Sequence, residues 1–163
     1  MDNLKSHDIS KMKGHIHLYT GNGKGKTTAA LGLALRAAGA GLKVFIGQFL
    51  KGAEYSEIKA LRQLAPGIEI KQYGRRCFIK DKPDEEDIRL AQNGLGEMES
   101  VIQSGDYDLV ILDEANIAVY YNLFSVDELL KVVQNRPKQV EIVITGRNAD
   151  PRIIAAADLV TEM

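Results

Sequence analysis

The chain has 163 residues, 45% of them hydrophobic and 26% charged, with a formal net charge of -1. That is the composition of one ordinary globular domain with a sizeable core, and it excludes a general attraction to nucleic acid or to an anionic membrane. A single cysteine, Cys77, excludes an internal disulfide, and no run is long and apolar enough to be a signal peptide core or a membrane helix, so a cytoplasmic protein is expected.

Residues 1–13 read as a loose arm, and one α/β nucleotide-binding domain is expected over 14–163. The first strand candidate, "HIHLYT" (15–20), runs into "GNGKGKTT" and then into a helix over Thr27–Ala38, ended by "GAG". Next come a strand "KVFIGQF" (43–49), a helix over about Glu54–Leu64 closed by "PG", and a strand over 68–73. The charged stretch "YGRRCFIKDKPDEED" (73–87) is long enough to be a functional loop. A helix over Asp84–Gln103, closed by "SG", leads to the strand "DLVILDE" (108–114). A helix over Ser125–Gln134 opens with "SVDE", in which Ser125 and Glu128 form a capping box. The strand "VEIVITG" (140–146), a short helix after Pro151 and a last strand "DLVTEM" (158–163) complete the chain. "LVIL" and "IVIT" are apolar or β-branched at consecutive positions, as in strands covered on both faces, and parallel strands need helical crossovers. The pattern predicts an α/β fold, a single open, mostly parallel six-stranded sheet flanked by helices.

The loop after the first strand fits the phosphate-binding pattern G-x-x-x-x-G-K-[ST], with Thr20 in place of the first glycine and Gly25, Lys26 and Thr27 completing it. Gly21, Gly23 and Gly25 allow the backbone to turn sharply and approach a ligand closely. Successive N–H groups and the positive end of the following helix then converge on phosphate oxygens. Lys26 would neutralise phosphate charge, the Thr27 hydroxyl would ligate Mg²⁺, and Lys24 adds a second cation. The acidic partner is "LVILDE": an apolar strand ending in Asp113 and Glu114 places carboxylates at the carboxyl edge of the sheet, where Mg²⁺ needs oxygen. If the strand stays regular, the two acids point to opposite sides and have different roles. Nothing compelling fills the role of a general base, since His7 lies in the arm and His15 and His17 lie upstream of the loop. Glu114 remains a candidate to orient a water.

With this loop, "FIGQFLKG", "LVILDEAN" and "VITGRNADPRIIAAADLVTEM" in order, the chain resembles the phosphate-loop type of ATP:corrinoid adenosyltransferases from about Lys13 to Met163. The resemblance implies transfer of the 5′-deoxyadenosyl group of ATP to Co(I) of a corrinoid, with release of triphosphate, in adenosylcobalamin biosynthesis or salvage. Co(I) is itself the nucleophile and attacks C5′, so no side chain removes a proton; the loop stabilises the leaving group. ATP is expected to lie reversed relative to ordinary phosphate-loop enzymes.

Carried onto this chain, the family loop is Asn22, Gly23, Lys24, Gly25, Lys26, Thr27 and Thr28, with Thr27 and Glu114 as Mg²⁺ partners and Asp113 beside them. Arg36 is a candidate to look back at the phosphates, and Gln48, Lys51, Arg147 and Asn148 are candidates to border ATP or corrin. Phe78, in "GRRCFI", is the nearest match to the aromatic residues that crowd the lower face of cobalt in relatives, one position out of register, with Cys77 and Ile79 at the matching sites, and the chain has no tryptophan. Relatives also imply a homodimer and an electron-donating flavoprotein as partner, with no nucleic acid and no membrane. Two other readings stay open on the residues: an ordinary phosphate-loop ATPase or kinase, and a module that binds a corrinoid in response to nucleotide.

Overall fold

The computed structural model describes residues 13–163 apart from 54, 66 and 76–81. Six strands, β1 (Ile16–Thr20), β2 (Val44–Phe49), β3 (Ile68–Tyr73), β4 (Leu109–Asp113), β5 (Glu141–Thr145) and β6 (Leu159–Glu162), form one sheet in the order β3-β2-β4-β5-β1-β6. Every pairing is parallel. All strands therefore end at the same edge, and the loops that leave that edge are neighbours in space.

The helices are α1 (Lys26–Gly39), α2 (Ser56–Leu64), α3 (Glu85–Ser104), α4 (Ala115–Tyr120), α5 (Val126–Gln134) and α6 (Pro151–Ala156). Two cores sit on the two faces of the sheet. On one face Ala30, Leu31 and Ala34 of α1 and Leu61 of α2 pack on Val44, Ile46, Ile111 and Val143. On the other, α3, α4, α5 and α6 cover Leu18, Phe45, Phe49, Val110, Leu112, Ile142 and Ile144. Alternate residues of β2, β4 and β5 feed the two cores, so β2 and β4 are buried throughout, as the consecutive apolar run "LVIL" predicts for β4; β2 is buried even at the polar Gln48. Strand β6 is the exposed edge next to β1.

The expected capping box at Ser125 and the glycine closure at Gly105 are present, and α3 adds a capping box of its own. Ser125 caps α5, accepting from Glu128 N–H while the Glu128 carboxylate accepts from Ser125 N–H. Asp84 and Asp87 form a second capping box at α3, and Gly105 closes that helix at φ 68°. Helix α4 was not expected. It turns directly out of β4, six residues long, too short to show helical periodicity in the sequence.

Candidate functional site

The loop after β1 is shaped by Gly21 (φ 91°) and Gly25 (φ 112°), and Gly25 is the N-cap of α1 with no side chain to fill the capping position. No acidic residue stands in the first turn of α1, so its free N–H groups and positive end face a cavity of about 390 Å³. Gly23, Lys24, Gly25, Lys26, Thr27, Thr28, Glu114, Ile117 and Arg147 line that cavity. Lys26 is buried and folds over the loop, its Nζ donating to the carbonyl oxygens of Gly21 (2.7 Å) and Gly23 (2.6 Å). Met163, just past β6, lies against the near side of the loop, where its main-chain oxygen accepts from Gly23 N–H at 2.5 Å. The arrangement is a nest of N–H donors with cations around it, suited to a polyphosphate.

The sheet order places β5 between the strand that carries the loop and the strand that carries the acid, so the acid is not immediately beside the loop. Thr145, the last residue of β5, spans the gap. Its hydroxyl donates to Asp113 Oδ1 (2.7 Å) and accepts from Glu114 N–H (2.9 Å). Asp113 Oδ1 also accepts from Thr27 Oγ1 at 2.9 Å, which ties the acid to the first turn of α1. Asp113 Oδ2 accepts from Gln48 Nε2 (3.0 Å) and Lys51 Nζ (2.7 Å). Asp113 is 1% exposed and has a donor for every lone-pair site.

Strand β4 does not stay regular as far as Glu114. The residue enters the left-handed region (φ 61°, ψ 20°) and becomes the N-cap of α4. That turn brings its carboxylate to the wall of the cavity. Among the described residues the carboxylate accepts no hydrogen bond, and burial, then the charge of Asp113, pushes it above the usual carboxylate range against the pull of Lys51, Lys26 and Arg147. Leu50 (φ 60°) and Asn148 (φ 56°) adopt the same left-handed conformation just past β2 and β5. Three side-chain-bearing residues in this costly region, all at one edge of the sheet, mark where geometry outranks local preference.

The expected residues divide clearly. The structure brings Lys24, Lys26, Thr27, Thr28, Glu114 and Arg147 together around one cavity, with Gly21 and Asn22 in the same loop and Asp113 behind Thr27. Gln48 borders no ligand space: it is wholly buried, and its Oε1 accepts from Gln72, so it braces Asp113 from behind. Lys51 reaches Asp113 from the turn after β2. Arg36 does not look back at the loop. It lies in the last turn of α1, ten residues after Lys26, and lines a separate cavity with Gly14, Asp108 and Glu141 at the opposite edge of the sheet. A rise of about 1.5 Å per residue separates it from the phosphates by roughly 15 Å. Asn148 also points elsewhere, into a cleft with Tyr120, Asn122 and Arg152. His15 and His17 stand at the start of β1, where His17 Nε2 lies 2.5 Å from Glu141 Oε1, away from the cradle. Phe78, Cys77, Ile79 and the arm residue His7 lie outside the described residues.

Two contributors were missed in the sequence. Thr145 reads in the sequence as an ordinary strand end; its signal is a hydroxyl level with Asp113 on the neighbouring parallel strand, readable only from the strand order. Asn116 is fully buried, and its Nδ2 donates to Gly146 O at 2.9 Å, fixing the turn (Gly146 φ 133°) from which Arg147 projects.

The oxygen set fits a magnesium–phosphate complex. Because Thr27 spends its hydroxyl proton on Asp113, its lone pairs stay free for a cation, and Glu114 offers a carboxylate with no hydrogen-bond partner among the described residues. Among the described residues no cluster of three or more His, Cys, Asp or Glu could hold a metal alone, so most ligands would be phosphate and water oxygens, as is usual for Mg²⁺.

Residues 12–163 match the model of the family described as ATP:corrinoid adenosyltransferase BtuR/CobO/CobP. A corrinoid adenosyltransferase of Pseudomonas aeruginosa is 36% identical over 152 residues, covering 93% of this chain and 75% of that protein. Corrinoid adenosyltransferases of Escherichia coli K12 and Salmonella typhimurium are 34% and 33% identical over 152 residues, each covering 93% of this chain and 76% of the relative.

Proposed function

The chain belongs to the ATP:corrinoid adenosyltransferase family, and on that premise we propose that it moves the 5′-deoxyadenosyl group of ATP onto Co(I) of a corrinoid. The cobalt–carbon bond forms as C5′–O breaks, and the electron pair leaves on triphosphate. The observation that carries the assignment of roles is the cradle itself: glycine N–H groups, Lys24, Lys26 and Arg147 meet Thr27 and Glu114 around one cavity.

In this reading the protein's task is to hold ATP and stabilise charge on the departing group. Lys26 lets go of the Gly21 and Gly23 carbonyls and turns to phosphate oxygens, while the N–H groups of the loop and the first turn of α1 accept the rest of the charge. Thr27 and Glu114 would hold Mg²⁺, with Asp113 orienting the Thr27 hydroxyl. When bound, that ion supplies further positive charge against the triphosphate. Proton abstraction has no place in this reaction, because Co(I) is itself the nucleophile. ATP lies reversed, so that C5′ rather than the terminal phosphorus is presented to the acceptor.

By the same family resemblance we propose a cytoplasmic homodimer served by a flavoprotein that donates the electron reducing Co(II), with Phe78, outside the described residues, proposed as the apolar group that excludes cobalt's axial ligand. No described helix is long and apolar enough to cross a membrane. Incubation with ATP, Mg²⁺ and chemically reduced cobalamin should yield a light-sensitive adenosylated corrinoid and one triphosphate per turnover. Phosphate and ADP in their place would refute the proposal. Lys26→Ala should slow transfer by about 10²- to 10³-fold, the usual loss when one preorganised charge-stabilising donor is removed, and a single-turnover assay measures it.

A further inference from the structure

A carboxylate offers about four lone-pair sites, and at Asp113 each has a donor: Thr27 and Thr145 on Oδ1, Gln48 and Lys51 on Oδ2. A divalent cation arriving at Thr27 and Glu114, or a water carried on it, finds no free acceptor on Asp113 until a donor leaves. The four donors differ in how readily they can go. Thr27 and Thr145 are fixed at the ends of α1 and β5. Gln48 is fully buried, and its partner Gln72 is anchored on the Ala53 carbonyl at 2.9 Å. Lys51 alone carries positive charge, on a long stem from a loop, and like charge in a partly desolvated site repels strongly.

We propose that Lys51 is a displaceable counter-ion, a positioning residue that neutralises Asp113 while the cradle is empty and leaves Oδ2 when metal and ATP enter, turning to the phosphates. This rests on reading the cradle as a magnesium–triphosphate site. The turn that carries Lys51 is held without its ammonium group. Leu50 N–H donates to Tyr73 O at 3.2 Å, and a Cβ at Gly74 would stand 2.6 Å from the Leu50 carbonyl carbon, so backbone packs on backbone there. Gly52 is equally tight against Gly74 and Arg75. The head group can therefore swing while the turn stays in place, and losing it need not unfold the loop.

The test uses Mn²⁺ as probe on the full chain, with free Mn²⁺ followed by electron paramagnetic resonance. Lys51→Gln keeps an N–H donor for Asp113 and removes the charge; Lys51→Met removes both. Without nucleotide, Lys51→Gln should bind Mn²⁺ at least about tenfold more tightly than the wild type, because a competing cation is gone. The same variant should bind ATP in EDTA several-fold more weakly. A brace on Asp113 would predict the reverse for the metal, and unchanged or weaker Mn²⁺ binding in Lys51→Gln overturns the proposal. The wild type decides the matter if the variants fold poorly. Pulse acetylation read by mass spectrometry should modify Lys51 faster when Mn²⁺ alone is added and slower again when ATP follows; a rate indifferent to Mn²⁺ refutes displacement. Adenosyl transfer is a separate readout. Wild-type protein that transfers normally while Mn²⁺ leaves Lys51 unmoved disproves this role alone, and Mn²⁺-dependent release of Lys51 without transfer would disprove the assigned reaction alone.

Discussion

Thr145 holds two hydrogen bonds where β4 and β5 end, one to the Asp113 carboxylate and one from the Glu114 N–H. Thr145→Val keeps the shape of the side chain but leaves both neighbours a partner short, at a cost of about 1–3 kcal/mol. Urea denaturation should show that loss, while Asp113 stays held by Thr27, Gln48 and Lys51. Lys26 and Thr27 were legible in the sequence because a strand, a glycine-rich loop and a helix start follow one another in the chain. Thr145 and Asn116 were not, because their partners lie 32 and 30 residues away and become neighbours only through strand order. Arg36 departs from the expectation for a simpler reason: the helix starts at Lys26, so ten residues carry its side chain to the far end.

At the scale of elements, α3 shows how one helix treats two glycines differently. Gly94 faces β3, where an added Cβ would collide with the ring of Tyr73, 2.7 Å from its Cβ. Gly96 is exposed, with nothing within 4 Å of the same added atom. Gly94→Ala should therefore destabilise the protein by about 1–3 kcal/mol through overpacking. Gly96→Ala should stabilise it by about 0.5–1 kcal/mol, since alanine loses less backbone freedom in a helix. Calorimetric melting of both variants checks the contrast. The sequence marked α3 by its length and its closing "SG" and α5 by its capping box; six-residue α4 had neither signal, and the Asp84–Asp87 capping box of α3 emerged only in the structure.

For the whole molecule, consecutive apolar runs were enough to predict a parallel sheet covered on both faces, while strand order depends on contacts that no local pattern encodes. Acid stability is a property at this scale. The Arg75 guanidinium, bound at 2.8 Å through both Nε and Nη2, holds buried Asp87 below its ordinary value of 3.8. Burial pushes Glu141 up, but the His17 ring and the His15 N–H together bring it below 4.5. Groups lowered in the folded state contribute fully above their unfolded values and lose that contribution as pH falls through the folded ones. Asp87→Asn should thus be less stable than the wild type at pH 7, with the gap closing below pH 3.8, as urea midpoints across pH 2–7 would show. The left-handed backbone at Glu114 has an evolutionary corollary. Glu114→Gly removes a strained conformation and a carboxylate with no hydrogen-bond partner among the described residues, so the ligand-free protein should melt later, by about 1–2 kcal/mol of added stability, while metal-dependent ATP binding collapses. A directed-evolution campaign that rewarded heat tolerance alone would be drawn to this position early, and would return a sturdier protein that had forgotten its trade.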